Sequence, residues 1–159
     1  MHTAHRRRGF TLVELVTTII LIAILSVVVI PRLFTASSYS AFTLREEFIA
    51  ELRKVQIMAM NNQDRCYRLS VTPTQYQVSR FNTRYNSGCK GTLVRTDTAQ
   101  SFQGGAALKL DGISSFKVEF DGRGVPSLDC SHSQAKCITV EADETQWIAI
   151  ESEGYIHAG

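Results

Sequence analysis

Residues 6–34 read RRRGFTLVELVTTIILIAILSVVVIPRLF, and this stretch decides the architecture of the chain. From Phe10 to Ile30 every residue is apolar or carries a small hydroxyl group, except Glu14. At about 1.5 Å per helical residue, the run is long enough to cross a hydrocarbon core of ~30 Å. A carboxylate inside such a helix costs a few kcal/mol, so Glu14 needs a reason. The simplest reason is attraction to the positive end of the helix dipole.

The residues before the apolar run predict its orientation. Arg6, Arg7 and Arg8 form a basic cluster. By the positive-inside rule this cluster holds the N-terminus in the cytoplasm and sends the following chain across the membrane. A secretory signal peptide would carry a small-residue cleavage site after the run, whereas here the small residue Gly9 precedes it. An ordinary single-pass anchor is the alternative interpretation.

The junction between the basic cluster and the apolar run carries a recognisable motif. Gly9 to Glu14 read GFTLVE, which matches the pattern G-F-T-L-x-E. The segment resembles the class III leader of type IV pilins and type II secretion pseudopilins. The resemblance implies that a prepilin peptidase cleaves between Gly9 and Phe10, and that Phe10 becomes an N-methylated terminus. It also implies that Glu14 neutralises the terminal amine of a neighbouring subunit, since a buried ammonium and carboxylate cost less together than either does alone.

The same resemblance implies partners and a location. The partners are prepilin peptidase, other pilin or pseudopilin subunits, the inner-membrane assembly platform and, before assembly, membrane lipid. The location is the bacterial inner membrane, with a single pass and a periplasmic head, and later a pilus or pseudopilus. Type IV pili, mannose-sensitive haemagglutinin-type pili and type II secretion systems all use such a leader. The implied function is that of a structural subunit, not of an enzyme.

Pro31 stands where the membrane segment is expected to end. Within a helix it removes an amide donor and crowds the carbonyl of Val27, at a cost of ~3 kcal/mol or more unless the helix bends. We therefore expect a helix kink at Pro31, which the resemblance to pilins connects with loosening of this segment during filament packing. A plain helix boundary at the membrane interface is the alternative.

A second apolar pattern follows the membrane segment. Leu44, Phe48, Leu52, Val55 and Ala59 recur at spacings of three and four, which is one face of an α-helix. The polar residues 61–64 suit a helix end. We expect one long helix over residues 10–61, bent at Pro31, with its second half laid against a folded head.

Beyond residue 64 the apolar period changes from that of a helix to that of a strand. Alternating segments predict half-buried strands, the first two forming a hairpin around the turn at 72–74. These segments are 67–71, 76–78, 108–110, 116–120, 138–140 and 147–151. The expected fold is α+β: a long N-terminal helix packed on an antiparallel β-sheet head, as in the pilin fold.

These patterns divide the chain into four parts. Residues 1–9 are the cytoplasmic prepilin leader, and residues 10–31 are the transmembrane and assembly helix. Residues 32–64 are the amphipathic half of the long helix, and residues 65–159 are the β-rich globular head. The length beyond the membrane segment suffices for one modest domain.

All four cysteines lie in the part that the arginine cluster sends out of the cytoplasm. An even number in an oxidising compartment predicts disulfides. Three pairings exist, and we favour Cys66 with Cys89 and Cys130 with Cys137 because neighbours close shorter loops. The alternative to a second disulfide is a metal site formed by Cys130, His132 and Cys137, but the spacing of these residues fits no common zinc pattern.

Charge is distributed unevenly along the head. Residues 65–95 contain six cations and no acid, whereas residues 97–159 contain four Lys/Arg against ten Asp/Glu. The six cations are Arg65, Arg68, Arg80, Arg84, Lys90 and Arg95. Interleaved with aromatic residues, they suit a DNA- or surface-binding patch, with nucleic acid as the alternative partner. They also suit contact between the basic part of one subunit and the acidic part of the next.

The C-terminal part carries a second resemblance. Residues 120–126 read FDGRGVP, and residues 153–156 read EGYI. They resemble the end of GspH/FimT-like minor pilins and pseudopilins, in which a glycine turn leads into a final hairpin and the last strand ends at a glycine. Tyr155 stands where a basic residue is frequent in that group. Gly122, Gly124 and Gly154 also read simply as turn formers.

The sequence predicts neither a catalytic residue nor a cofactor or metal. Only His132 and His157 lie beyond the leader and the apolar run, and His157 stands three residues from the C-terminal end, where we expect flexibility. Asp121 begins a loop that lacks the other carboxylates of a calcium site. The glycines form no phosphate-binding loop.

Overall fold

The protein is described by a computed structural model. It describes residues 10–33, 41–85, 88–128, 130 and 136–159, with the side chains of residues 10–26 only in the first range. The leader residues Arg6, Arg7, Arg8 and Gly9 lie outside these ranges. The chain divides into two compact units, Met1–Ala36 and Ser37–Gly159.

The first unit contains helix α1, Leu12–Leu33. Thr11 caps it, because its Oγ1 accepts the Glu14 amide at 3.2 Å. The hydroxyls of Thr17, Thr18 and Ser26 donate hydrogen bonds to backbone carbonyls one turn earlier in the helix. These hydroxyl donors are therefore satisfied within the helix itself. Over the described residues, no helix combines the length and apolar character needed to cross a membrane.

Position 31 lies inside α1, two residues before its end at Leu33. The kink expected at Pro31 stays a prediction. The expected single helix over residues 10–61 appears in the described residues as two helices, α1 and α2, and residues 34–40 between them lie outside the described ranges.

The second unit contains helix α2, Ala41–Asn61, which ends at the polar cluster as expected. The whole predicted stripe of Leu44, Phe48, Leu52, Val55 and Ala59 is buried. Ile49 is buried beside the stripe.

Within its described residues, the second unit also contains nine strands, in two antiparallel sheets. The first sheet contains β1 (Cys66–Val71), β2 (Gln75–Phe81), β3 (Leu93–Thr96), β4 (Gln100–Ser101) and β6 (Phe116–Glu119). Its order is β3-β2-β1-β6, with β4 also paired to β2. The second sheet contains β5 (Ala107–Leu110), β7 (Ile138–Glu141), β8 (Thr145–Ile150) and β9 (Ile156–Ala158), in the order β5-β7-β8-β9.

One core joins α2 to both sheets. The helix packs on β1 of the first sheet and on β7, β8 and β9 of the second. Fully buried strand residues facing this core include Leu69, Leu108, Val140 and Ile148. The α+β expectation, a helix on antiparallel strands, is therefore confirmed.

Three details of the expected fold are wrong. Strands β3 and β4 were not expected, because their residues are exposed and carry no apolar alternation. Gly154 does not end the last strand, since it lies in the turn between β8 and β9. His157 is not in a flexible end, because β9 pairs it with Ala149.

Two disulfides, Cys66–Cys89 and Cys130–Cys137, link the pairs favoured by the short-loop argument. The second disulfide uses two sulfurs of the alternative metal site, whose third member, His132, lies outside the described residues. In the described part of the chain, Cys66, Cys89 and Glu119 also lie close enough to hold an ion. Their two sulfurs are bonded to each other, so this cluster lacks free thiolates.

Candidate functional site

The N-terminal segment presents its two key residues at the start of α1. Phe10 precedes the helix and is 77% exposed, and Glu14 lies in the first helical turn. Within the described ranges, no donor contacts the Glu14 carboxylate, whereas its amide is held by Thr11. The Glu14 side chain itself is exposed.

Over residues 12–26, the part of α1 whose side chains the structure describes, apolar side chains occur on every side of the helix. Large exposed residues occur at consecutive positions, including Ile19, Ile20, Leu21 and Ile22. A helix that is apolar all round needs an apolar environment, either lipid or other helices. Glu14 is the single acid of this helix, so it would enter that environment with it.

Residues 4–30 match the family model of the prokaryotic N-terminal methylation motif. The chain is type IV pilin-like at its N-terminus. The pilin-like segment covers Gly9, Phe10 and Glu14, the residues that carry the resemblance in the sequence. The match does not extend to the head, so the likeness of the head to the GspH/FimT group stays a prediction. Comparison of the chain with curated proteins and with solved structures gives no match.

The head of this pilin-like chain uses Arg68 in its own structure. Arg68 donates to Glu119 and to the carbonyl of Cys89, and its guanidinium lies 4.6 Å from the centre of the Phe81 ring. Glu119 is almost fully buried, and its second oxygen accepts the Cys89 amide at 3.1 Å. These bonds tie β1, β6 and the disulfide-linked loop together.

Arg84 is also used within the head. Its Nη2 donates to the carbonyls of Ala59 and Asn62, at 2.7 and 3.2 Å, where α2 ends. A cation at this position satisfies carbonyls that the helix leaves unbonded and complements the negative end of its dipole. Arg84 thus holds the C-terminal end of α2.

The remaining cations of residues 65–95 are dispersed. Arg65 lies 3.6 Å from Asp64, and Arg95 forms an ion pair with Asp97 at 2.9 Å, so acids just outside the acid-free stretch offset two of its charges. Arg80 is half-buried with its Nε enclosed, and Lys90 is exposed. The six cations therefore do not form a single face free to bind phosphates, which weakens the nucleic-acid interpretation.

A groove in the described head lies between the loop after β2 and the loop after β6. Its volume is about 490 Å³, and its lining includes Arg84, Tyr85, Glu119, Asp121 and Arg123. Burial raises the pKa of Asp121, but hydrogen bonds from Val125 and Arg123 outweigh it, so the pKa is lowered from 3.8. The charged groups of this groove already have partners within the head: Glu119 is paired with Arg68, Asp121 with Arg123, and Arg84 donates to the end of α2.

The two glycine turns of the C-terminal part meet on α2. The Gln56 side-chain amide donates to the carbonyls of Gly124 and Gly154, at 2.8 and 2.7 Å. Both glycines have positive φ, and a Cβ at Gly154 would overlap the Gly124 carbonyl. Sequence reasoning found the glycines but missed Gln56, because a half-buried glutamine off the apolar stripe carries no sequence signal.

Proposed function

We propose that this chain is a minor pilin or pseudopilin, a structural subunit of a type IV pilus, of a mannose-sensitive haemagglutinin-type pilus or of a type II secretion pseudopilus. The observation that carries the proposal is the methylation-motif match over residues 4–30, together with the exposed apolar surface of α1. The same surface serves two environments in turn, lipid before assembly and neighbouring helices afterwards.

Processing is the first step of this function. Prepilin peptidase cleaves between Gly9 and Phe10, removes the basic leader with Arg6, Arg7 and Arg8, and leaves Phe10 as an N-methylated terminus. Support comes from the exposure of Phe10 outside the regular helix, because a protease requires an extended segment rather than a closed helical turn.

Assembly follows from the pairing of Glu14 with a terminal amine. The assembly platform withdraws the subunit from the inner membrane, where α1 is the single pass and the head is periplasmic. In the filament the carboxylate of Glu14 forms an ion pair with the terminal ammonium on Phe10 of a neighbouring subunit. The pairing offsets the cost of burying either charge. Pro31 contributes a weak point at which the helix bends during packing.

Mass spectrometry of the protein purified from its native cells tests processing. The expected product begins at Phe10 and carries one added methyl group, and a chain with Gly9→Val is expected to keep its leader. Recovery of the unmodified protein from Met1 in cells that contain an active prepilin peptidase would refute the processing step.

Incorporation into sheared filaments tests the role of Glu14. We expect Glu14→Ala to remain in the membrane fraction, because the neighbouring amine would be buried unpaired. Thr17→Ala is the matched control, since it alters the same helix one turn later and keeps the charge. Equal incorporation of both variants would contradict the assembly role.

A further inference from the structure

Strand β3 is an open edge of the first sheet. It occupies the end of the order β3-β2-β1-β6, and all four of its residues, Leu93–Thr96, are exposed. Among the described strands, β3 pairs only with β2. An edge of this kind carries backbone groups that can accept another strand.

Hydrogen bonding of the neighbouring residue shows which backbone groups face outward. The Asp97 amide donates to the Val78 carbonyl at 2.9 Å, so Asp97 faces β2. Successive residues of a strand direct their backbone groups to opposite sides. The N–H and C=O of Thr96 therefore face the open edge.

The residues around Thr96 are complementary to themselves. Arg95 and Asp97 flank Thr96 symmetrically and carry opposite charges. Their side chains lie on one face of the strand, with Arg95 Nε 2.9 Å from Asp97 Oδ1. They remain 68% and 38% exposed, so both are accessible to another molecule.

We propose that two copies of this chain associate through β3, antiparallel, with the twofold axis at Thr96. In this register the two Thr96 residues exchange backbone hydrogen bonds, and each Arg95 stands opposite Asp97 of the second copy. Positions flanking a hydrogen-bonded pair have Cα atoms ~4.5 Å apart, where opposite charges attract most strongly. The register therefore forms two intermolecular ion pairs, whereas a shift by two residues would oppose like charges.

The structure also limits the strength of this contact. The pairing of β2 with β3 shifts register between Arg80 and Phe81, which marks a bulge near Leu93. Bulges twist an edge and stop further pairing beyond them. The contact is therefore short and reversible, and because its symmetry is twofold it closes at two copies. It involves the head alone and does not depend on the proposed function.

Cysteine cross-linking of the full-length chain in detergent micelles tests the register. A chain with Thr96→Cys, treated with a short thiol-specific bismaleimide, is expected to give a covalent dimer. Thr139→Cys is the matched control, because Thr139 lies on β7, between β5 and β8 in the second sheet. It is expected to give no dimer at the same protein concentration.

Charge changes in the Thr96→Cys background test the two ion pairs. Arg95→Asp and Asp97→Arg each place like charges opposite each other, and each is expected to lower the dimer yield roughly tenfold. Arg95→Asp combined with Asp97→Arg restores both pairs and is expected to restore the yield. A mixture of the two single variants, one of them carrying a size tag, is expected to form the mixed dimer in preference to either homodimer, by the same factor of roughly ten.

The mixing experiment separates association from folding. A variant that simply failed to fold would not regain dimers with a second damaged chain. Equal cross-linking of Thr96→Cys and Thr139→Cys would overturn the proposal. So would loss of the dimer in the folded double variant, or absence of the mixed dimer, as judged beside far-ultraviolet circular dichroism of each chain.

Discussion

Arg68 Nε lies 2.5 Å from Oε1 of Glu119, and this contact joins the central strand β1 to the edge strand β6. Glu119 is buried, so its charge depends on the partners that surround it. The Arg68 side chain is about a quarter exposed, so contact with water offsets part of the free energy needed to desolvate its charge.

Removal of the Glu119 charge is expected to destabilise the head. Glu119→Gln leaves Arg68 without its carboxylate and is expected to lower the free energy of unfolding by about 2 kcal/mol. Urea denaturation of the full chain in detergent, followed by fluorescence of its single tryptophan, Trp147, measures the effect. If Arg68→Met lowers the free energy of unfolding as much in the Glu119→Gln background as in the parent, the two residues do not interact energetically.

Helix α2 is held at each end by a side chain of opposite charge. Asp143 Oδ1 accepts the Ala41 amide at 2.9 Å, and Arg84 donates to carbonyls at the other end. Asp143→Ala is expected to lower stability by about 1 kcal/mol, because it removes a cap at the positive end of the dipole. Glu144→Ala, at the next residue of the same turn, is the control and should have little effect in the same urea titration.

Gly154 is expected to tolerate no side chain. Its φ is +90°, and a Cβ would overlap the Gly124 carbonyl and press on Gln56. We expect Gly154→Ala to cost more than 1 kcal/mol, from backbone strain and the displaced turn. Gly112 also has a positive φ, but an added Cβ there would meet open space. Gly112→Ala therefore measures the backbone strain without the steric overlap. Equal losses in the two variants would mean that the contact with Gly124 contributes nothing.

The two disulfides are expected to differ in their effect on stability. The Cys66–Cys89 disulfide spans a sequence separation of 23 residues and positions the Cys89 amide, which donates a hydrogen bond to Glu119. The Cys130–Cys137 disulfide spans a separation of only 7 residues. Replacing the first pair by serine should therefore cost about 3 kcal/mol or more, and replacing the second should cost less. Thermal unfolding of the two double variants checks the order, which the opposite ranking would refute.

Asp121 is expected to make the stability of its loop depend on acid pH. Because its pKa in the folded state lies below the usual 3.8, the carboxylate stabilises the fold above that value. The contribution is lost as the pH falls through the lowered pKa. Asp121→Asn should thus be less stable than the parent at neutral pH, and the difference should shrink in strong acid. A difference that is constant with pH in urea titrations would contradict the role of the charge.

Much of the fold was predictable where apolar spacing repeats. The stripe from Leu44 to Ala59 predicted α2, and alternation predicted β1, β2, β6 and the strands of the second sheet except β9. Strand β3 escaped prediction because an exposed edge strand forms through backbone pairing with β2, which leaves no apolar pattern. The roles of Arg68 and Arg84 escaped it as well, since a count of charges does not show which of them find partners inside the fold.

Strand β9, an edge of the second sheet, differs from β3 in that side chains of α2 bond to its backbone. Arg53 donates two hydrogen bonds to the Ile156 carbonyl, at 3.2 and 2.6 Å, while Gln56 occupies the carbonyl of Gly154 just before the strand. An incoming chain therefore finds no vacant acceptor at Ile156. The loss of this acceptor weakens the edge as a template for a further strand, which is of value to any protein held at high local density.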